Sequence, residues 1–393
     1  MPFFIGKHYL CAQNGDTIMP DTELLTAEAL DLLRRLIATP RTSRHETAAA
    51  DILAHFIGAK QYDARRCQRF TLQREANNIW CIAAGYDAAR PTLLLNAHID
   101  TVQPVAAWQH DPFTPVLEGD RLYGLGSNDD GASLVSLWQT FHVLSARPQS
   151  YNLIFLASAE EEVSGHDGIE RAIPLLPHID VALVGEPTGM QPAIAEKGLM
   201  VLDVAALGKA GHAAREEGIN AIYRALPDIE WFRSYRFPQE SPLLGPVKMS
   251  VTVIQAGTQH NVVPDHCTFT VDVRSNDCYS NEALYEEICR HVQSDVQPRS
   301  FRLNSSHIDR EHPLVQRAIA LGPAPDGSPR TPFGSPTLSD QSLMPWPSLK
   351  MGPGDSARSH TADEYIRLQE IEGAIRDYLT MLDGLQLHGK MNF

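Results

Sequence analysis

The chain has 393 residues, 43% of them hydrophobic, a length that suits two or three domains and a composition that fills a large core rather than a disordered or fibrous chain. Lys and Arg number 33 against 48 Asp and Glu, for a formal charge of −15. A surface field of that sign repels phosphate backbones and anionic membranes, so neither nucleic acid nor membrane is an expected partner.

No stretch approaches the roughly 18 uncharged apolar residues of a spanning helix. The start, Met-Pro-Phe-Phe-Ile-Gly-Lys, has neither the basic nor the long apolar part of a secretion signal, and a soluble cytoplasmic protein is expected. The six cysteines, Cys11, Cys67, Cys81, Cys267, Cys278 and Cys289, are too sparse for a disulfide framework and form no C-x-x-C pair. Reduced thiols are the expectation.

In chain order, residues 23–38 place Leu25, Ala29, Leu32, Leu33 and Leu36 at helical spacing, and Pro40 stops the helix. Short apolar runs follow at 79–84, 92–97, 152–158 and 180–184. Near-continuous hydrophobicity of that length predicts strands covered on both faces. Leu134, Leu137, Trp138, Phe141 and Leu144 form a helical stripe between the second and third runs, and this alternation predicts an α/β layered domain. From about residue 200 the texture changes. Segments 249–254 and 267–274 alternate apolar with polar residues, as strands with one solvated face do, so a separate α+β domain is expected. The Pro/Gly-rich stretches 322–336 and 345–354 read as loops, and Leu368, Ile371, Ile375, Tyr378, Leu379 and Leu382 mark a last helix.

The candidate chemistry sits mostly where apolar runs end. Strand 92–97 leads into His98-Ile99-Asp100, and because strand side chains alternate, His98 and Asp100 face the same way. A carboxylate so placed can orient a metal-bound imidazole through its second ring nitrogen, although a satisfied structural histidine gives the same pattern. Gly124-Leu125-Gly126-Ser127-Asn128-Asp129-Asp130-Gly131 precedes the second helix. A dinucleotide loop would need a third glycine where Asp129 stands, and a carboxylate there repels a pyrophosphate. Asp129 suits cations better, or else simply caps the helix. Glu160-Glu161-Glu162 follows strand 152–158 and Glu186 follows strand 180–184, at the sheet edge where open α/β proteins place their sites. His360 lies in Ser359-His360-Thr361, just before the last helix. Taken together, His98, Asp129, Glu162, Glu186 and His360 offer five N/O donors, a set suited to two zinc ions. Other hydrolase signatures fail: His45-Glu46-Thr47-Ala48-Ala49 lacks the second histidine of a zincin, and no G-x-S-x-G elbow occurs.

These elements, in this order, resemble the dinuclear-zinc aminoacylase/carboxypeptidase family that includes acetylornithine deacetylase and succinyl-diaminopimelate desuccinylase. The resemblance runs from about residue 25 to 385. It implies a zinc-exopeptidase-like catalytic domain, a mixed sheet covered by helices, in two parts over 1–197 and 305–393. An α+β dimerisation or lid domain is inserted over 198–304. It further implies that His98 and Glu186 hold one zinc, that Glu162 and His360 hold the other, that Asp129 bridges them, and that Asp100 supports His98. The resemblance leaves open cobalt as a substitute for zinc. Of the acidic triplet, Glu161 maps to the general base and Glu162 to the ligand, while a shift by one would make Glu160 the base. Within Gly208-Lys209-Ala210-Gly211-His212, His212 matches a lid histidine that polarises the scissile carbonyl in a partner subunit's site. Asn261 and Arg274 match lid positions that contact the substrate carboxylate, a task the planar guanidinium fork performs well; a structural salt bridge is the alternative for Arg274. One departure stands out, because many members follow the bridging Asp with x-Lys-Gly, whereas here Asp130-Gly131 follows.

The activity so implied is metal-assisted amide hydrolysis of an N-acyl amino acid by a homodimer, with Glu161 moving the proton. Leu125-Gly126-Ser127-Asn128-Asp129 and Ser158-Ala159-Glu160-Glu161-Glu162 are closest to the acetylornithine deacetylase pattern. They favour N-acetylornithine or N-acetylcitrulline, giving acetate and a free α-amine in arginine biosynthesis. A desuccinylase, a metallo-exopeptidase and, from another class, a non-catalytic metal- or ligand-binding protein are the alternatives.

Overall fold

The computed structural model describes residues 21–215 and 217–387; the N-terminal segment read above and Cys11 lie outside them. The first helix, Thr22–Ile37, starts at Asp21, whose carboxylate accepts from the amides of Glu23 and Leu24.

The main sheet has nine strands. Phe70–Glu75 and Asn78–Ala83 form a hairpin at one side, followed in space by Asn152–Ser158, Thr92–His98, Val181–Val184, Ser348–Lys350, Ala193–Glu196 and Ser306–His307, with Phe333–Ser335 beside Ala193–Glu196. The four strands 152–158, 92–98, 181–184 and 348–350 run parallel, so their carboxyl ends share one edge.

Alternation explains why these runs are apolar throughout. Leu93, Leu95, Ala97, Leu153, Phe155, Ala157, Val181 and Leu183 face helices Thr22–Ile37, Ala132–Leu144 and Leu368–Leu382. Leu94, Ile154, Leu156, Ala182 and Val184 face the opposite layer, built on Ile169, Ala172 and Ile179. On the helix side Trp138 packs edge-on against Phe70 and Phe155, with ring centroids 5.7 and 5.6 Å away.

A second sheet, purely antiparallel, orders Lys248–Ala256, His266–Arg274, Met200–Leu207 and Asp295–Pro298. Helices Ala221–Ser234 and Asn281–His291 accompany it, and Leu202, Val204, Phe232, Phe269, Val271, Leu284 and Ile288 make its separate core. The expected alternation is plain in His266–Arg274, where buried and more exposed positions succeed each other, but in Lys248–Ala256 it gives way to an exposed run that includes Val253 and Ile254. The loops expected at 322–336 and 345–354 need correction, since Phe333–Ser335 and Ser348–Lys350 are strands. Each has three residues, and Pro345, Pro347, Gly352 and Pro353 around the second mask its pattern. Among the described residues no helix is long and apolar enough to cross a membrane, and the described cysteines are all free.

Candidate metal centre

Parallel strands bring the predicted donors to one edge. His98 closes strand 92–98, Glu161 and Glu162 follow strand 152–158, Glu186 follows strand 181–184, and the loop after strand 348–350 carries His360. Glycines let these loops converge. Gly126 takes φ 71°, and a Cβ there would meet Thr101 and Arg41 at 2.4 and 2.5 Å. At Gly354, φ 89°, a Cβ would lie 2.2 Å from Asn128 Oδ1.

The five donors come together. His98 Nε2 lies 3.2 Å from Asp129 Oδ1 and 3.9 Å from both Glu161 and Glu186. His360 Nε2 lies 2.9 Å from Glu162 Oε2 and 3.7 Å from Asp129 Oδ2. Asp129 thus stands between the two histidines, as a bridging carboxylate must. Two overlapping donor groups, His98/Glu161/Glu186 and His98/Asp129/Glu162, each have their ligand atoms within 4.8 Å of one another.

The electrostatics fit cations. Burial first, then neighbouring carboxylates, hold Glu161 and Glu186 well above the usual carboxylate range and push Glu162 up. Glu162 Oε1 is buried with no hydrogen-bond partner, a cost that a metal ion would remove.

Asp100 is fully buried, but its part differs in detail from the sequence expectation. The ring Nδ1 of His98 is 3.0 Å from the Asp100 main-chain oxygen and 3.5 Å from its carboxylate. The carboxylate accepts instead from Ser43 Oγ (2.7 Å) and from the amides of Glu161 (3.0 Å) and Glu162 (3.2 Å). One residue therefore orients the histidine and pins the turn that presents both glutamates. Glu160 turns away from the centre. It adopts φ 54°, its amide donates to Glu46, and its carboxylate lies over Gly165, where a Cβ would sit 1.7 Å from Oε2. Glu46, read as part of a failed zincin motif, is a buried support for this turn.

Three supports escape sequence reasoning. Glu364 accepts from the amides of Gly126 (3.0 Å), Asn128 (2.8 Å) and Asp129 (2.9 Å), and burial pushes it up to about 7. Arg41 donates to the carbonyls of Ile99 and Gly126, tying the His98 strand end to the Asp129 turn. Asn128 pairs with the Asp355 backbone at 3.0 and 3.1 Å and so ties that turn to the His360 loop. Glu364, four residues past His360, was the findable one.

Beside the donors lies a cavity of about 590 Å³, bounded by Glu161, Glu162, Glu186, Thr337, Lys350 and Arg358 among others. None of the three lid residues borders it. His212 and Asn261 are exposed and adjacent, with the Ala213 amide donating to the Asn261 carbonyl at 3.0 Å. Arg274 is held bidentately by Asp272 at 2.9 and 3.1 Å.

Comparison with known proteins agrees with this architecture. Succinyl-diaminopimelate desuccinylase of Delftia acidovorans is 23% identical over 385 residues, spanning 92% of this chain and 98% of the relative. The enzyme of the same name from Gluconobacter oxydans is 27% identical over 314 residues, spanning 76% and 82%. Among solved structures, aminopeptidase PepT of Bacillus cereus superposes with a TM-score of 0.72 at 16% identity, covering 91% of this chain and 98% of that one. The YXEP protein of Bacillus subtilis, described as a dinuclear metal binding peptidase, gives 0.67 at 16% identity, covering 92% and 100%. The pattern of peptidase family M20/M25/M40 matches residues 94–383; with two histidines and three carboxylates gathered as a two-metal hydrolase requires, the chain belongs to that family.

Proposed function

We propose that the protein hydrolyses the amide of an N-acyl amino acid, using two zinc ions held by His98 and Glu186 on one side, Glu162 and His360 on the other, and Asp129 between them. The observation that carries it is Asp129, within 4 Å of both histidines, with the base candidate Glu161 beside them. Bound zinc supplies Lewis-acid polarisation of the scissile carbonyl and lowers the pKa of water toward about 7. Glu161 takes a proton from the attacking water at its carboxylate and returns it to the leaving amine. Asp100 holds Glu161 in place through its amide.

Two finer readings have separate support. The curated relatives favour a succinylated diamino acid, and the peptidase structures share the fold. The acetylated reading draws on the motifs around Asp129 and Glu161 and on the cavity's charge. Among the described lining residues, Arg358 is bound bidentately by Glu370 and Lys350 is paired with Glu196, so no uncommitted Lys or Arg waits there for a succinyl carboxylate. His212, Asn261 and Arg274 enter this function through a second subunit. An exposed edge strand, Lys248–Ala256, with Val253 and Ile254 outward and Tyr223 and Leu226 on the accompanying helix, supports pairing through the inserted domain in a cytoplasmic homodimer.

The test is amine release by zinc-loaded protein from N-acetylornithine, N-acetylcitrulline, N-succinyl-diaminopimelate and a simple dipeptide. Turnover of one acylated substrate well above the others is expected. Silence on all four with two metals bound overturns the hydrolase and favours a non-catalytic metal-binding protein.

A further inference from the structure

One wall of the cavity beside the candidate metal centre is held by a buried ion pair. Lys350 ends the short strand that follows Val181–Val184 in the sheet, level with Val184, two residues before Glu186. Its side chain is 1% exposed, and its ammonium lies 2.7 Å from the carboxylate of Glu196, itself 0% exposed. The ammonium also donates to the Thr337 carbonyl at 3.0 Å and reaches Thr337 Oγ1 at 3.4 Å. Glu196 in turn accepts from Ser339, at 3.2 Å from the amide and 2.8 Å from the hydroxyl, and its backbone pairs with Ser335. Two opposite charges thus grip one strip, residues 335–339, at Thr337 and Ser339, while the Glu196 backbone pairs with it at Ser335. The outer face of that strip, Ser335 to Leu338, borders the cavity. Its continuation carries Asp340, bonded to Ser158 at the foot of the Glu161 turn.

Stability alone does not account for such a pair, because desolvating an ammonium and a carboxylate costs several kcal/mol each and apolar residues of like volume commonly do as well or better. The pair does confer position. A three-residue strand and a proline-containing strip have few ladder hydrogen bonds of their own, and charge-assisted bonds at 2.7–3.2 Å fix what packing leaves loose.

We propose that Lys350, acting with Glu196, is a positioning residue that fixes the Ser335–Leu338 wall and thereby sets substrate affinity at the metal centre. The proposal rests on the hydrolase reading for its effect on substrate, and on the fold alone for its effect on the wall.

Lys350→Met by itself strands a buried Glu196 charge and risks the fold, so the deciding variant is the neutral pair Lys350→Met/Glu196→Gln in the full metal-loaded chain, with Lys350→Arg as the charge-conserving control. Amide hydrogen exchange over 335–342 is expected to quicken about tenfold or more in the double variant while the other strands keep their protection. On whichever panel substrate the wild type turns over, KM is expected to rise about tenfold with kcat within about threefold and two metals retained, and Lys350→Arg is expected to recover part of the KM. A folded double variant with unchanged exchange and unchanged KM overturns the proposal, as does a loss confined to kcat or to metal content. If the wild type hydrolyses nothing in the panel, the functional reading fails, and the exchange result alone then sustains or overturns the fixed wall.

Discussion

Glu161→Gln is expected to retain both metals and its fold while kcat falls by roughly 10²–10⁴-fold, the usual contribution of a positioned general base. Glutamine keeps the shape of the side chain and cannot take up a proton. The expectation follows from place: the Glu161 carboxylate lies 3.9 Å from His98 Nε2, and its backbone is bound by Asp100. In the metal-free chain burial, with Glu186, Asp340 and Glu162 as negative neighbours, holds it well above the usual carboxylate range. The neighbouring Glu160→Gln is the control. That side chain faces Arg44 and Gly165 rather than the donors, so kcat is expected to stay within about threefold. Rates measured with metal content checked in each sample decide the register, and a full rate in Glu161→Gln with a lost rate in Glu160→Gln reverses it.

Removing the metals is expected to destabilise the protein by an amount that grows with pH. In the metal-free chain Glu161, Glu162 and Glu186 all have folded-state pKa values raised above their ordinary value of 4.5. A raised carboxylate contributes stability that is fully present below about pH 4.5 and is lost as the pH rises through the folded value. The chelated protein therefore weakens from pH 5 toward 8. The metal-loaded protein moves the other way, because ligands that must be deprotonated bind more tightly as protons leave. A free metal concentration a thousandfold above Kd stabilises by about 4 kcal/mol per ion. Thermal unfolding with zinc and with chelator at several pH values should show a gap in Tm that widens upward. A gap that narrows with pH would mean that the carboxylates are not the ligands.

Much of the fold was legible because the strands buried on both faces and the helices of the catalytic layer have unmistakable periods. Leu93, Leu94 and Leu95 read as a run, and the sheet divides them between its two faces. The two strands missed, Phe333–Ser335 and Ser348–Lys350, have three residues each and draw their stability from neighbours distant in sequence. At the site, His98, Asp129, Glu162, Glu186 and His360 were legible because each ends an apolar run or sits in a marked loop, and topology gathers such ends. The supports were not. Arg41 lies in the polar stretch after a helix, and Glu364 has only its place four residues past His360 to mark it, although both are buried in long-range hydrogen bonds. The Asp100 carboxylate lies by His98 as expected, but its bonds from the Glu161 and Glu162 amides were not foreseen, since spacing shows which way a side chain points and not which amides wait for it. The lid residues are a different case: His212, Asn261 and Arg274 do not border the cavity of their own chain, and the part proposed for them needs a second subunit.

A two-metal centre is best checked by the number and position of ions in zinc-loaded protein, by elemental analysis and anomalous diffraction. Two ions per chain are expected, one touching His98 and Glu186, the other Glu162 and His360, with Asp129 contacting both. A single ion, or two ions placed away from Asp129, would contradict this arrangement.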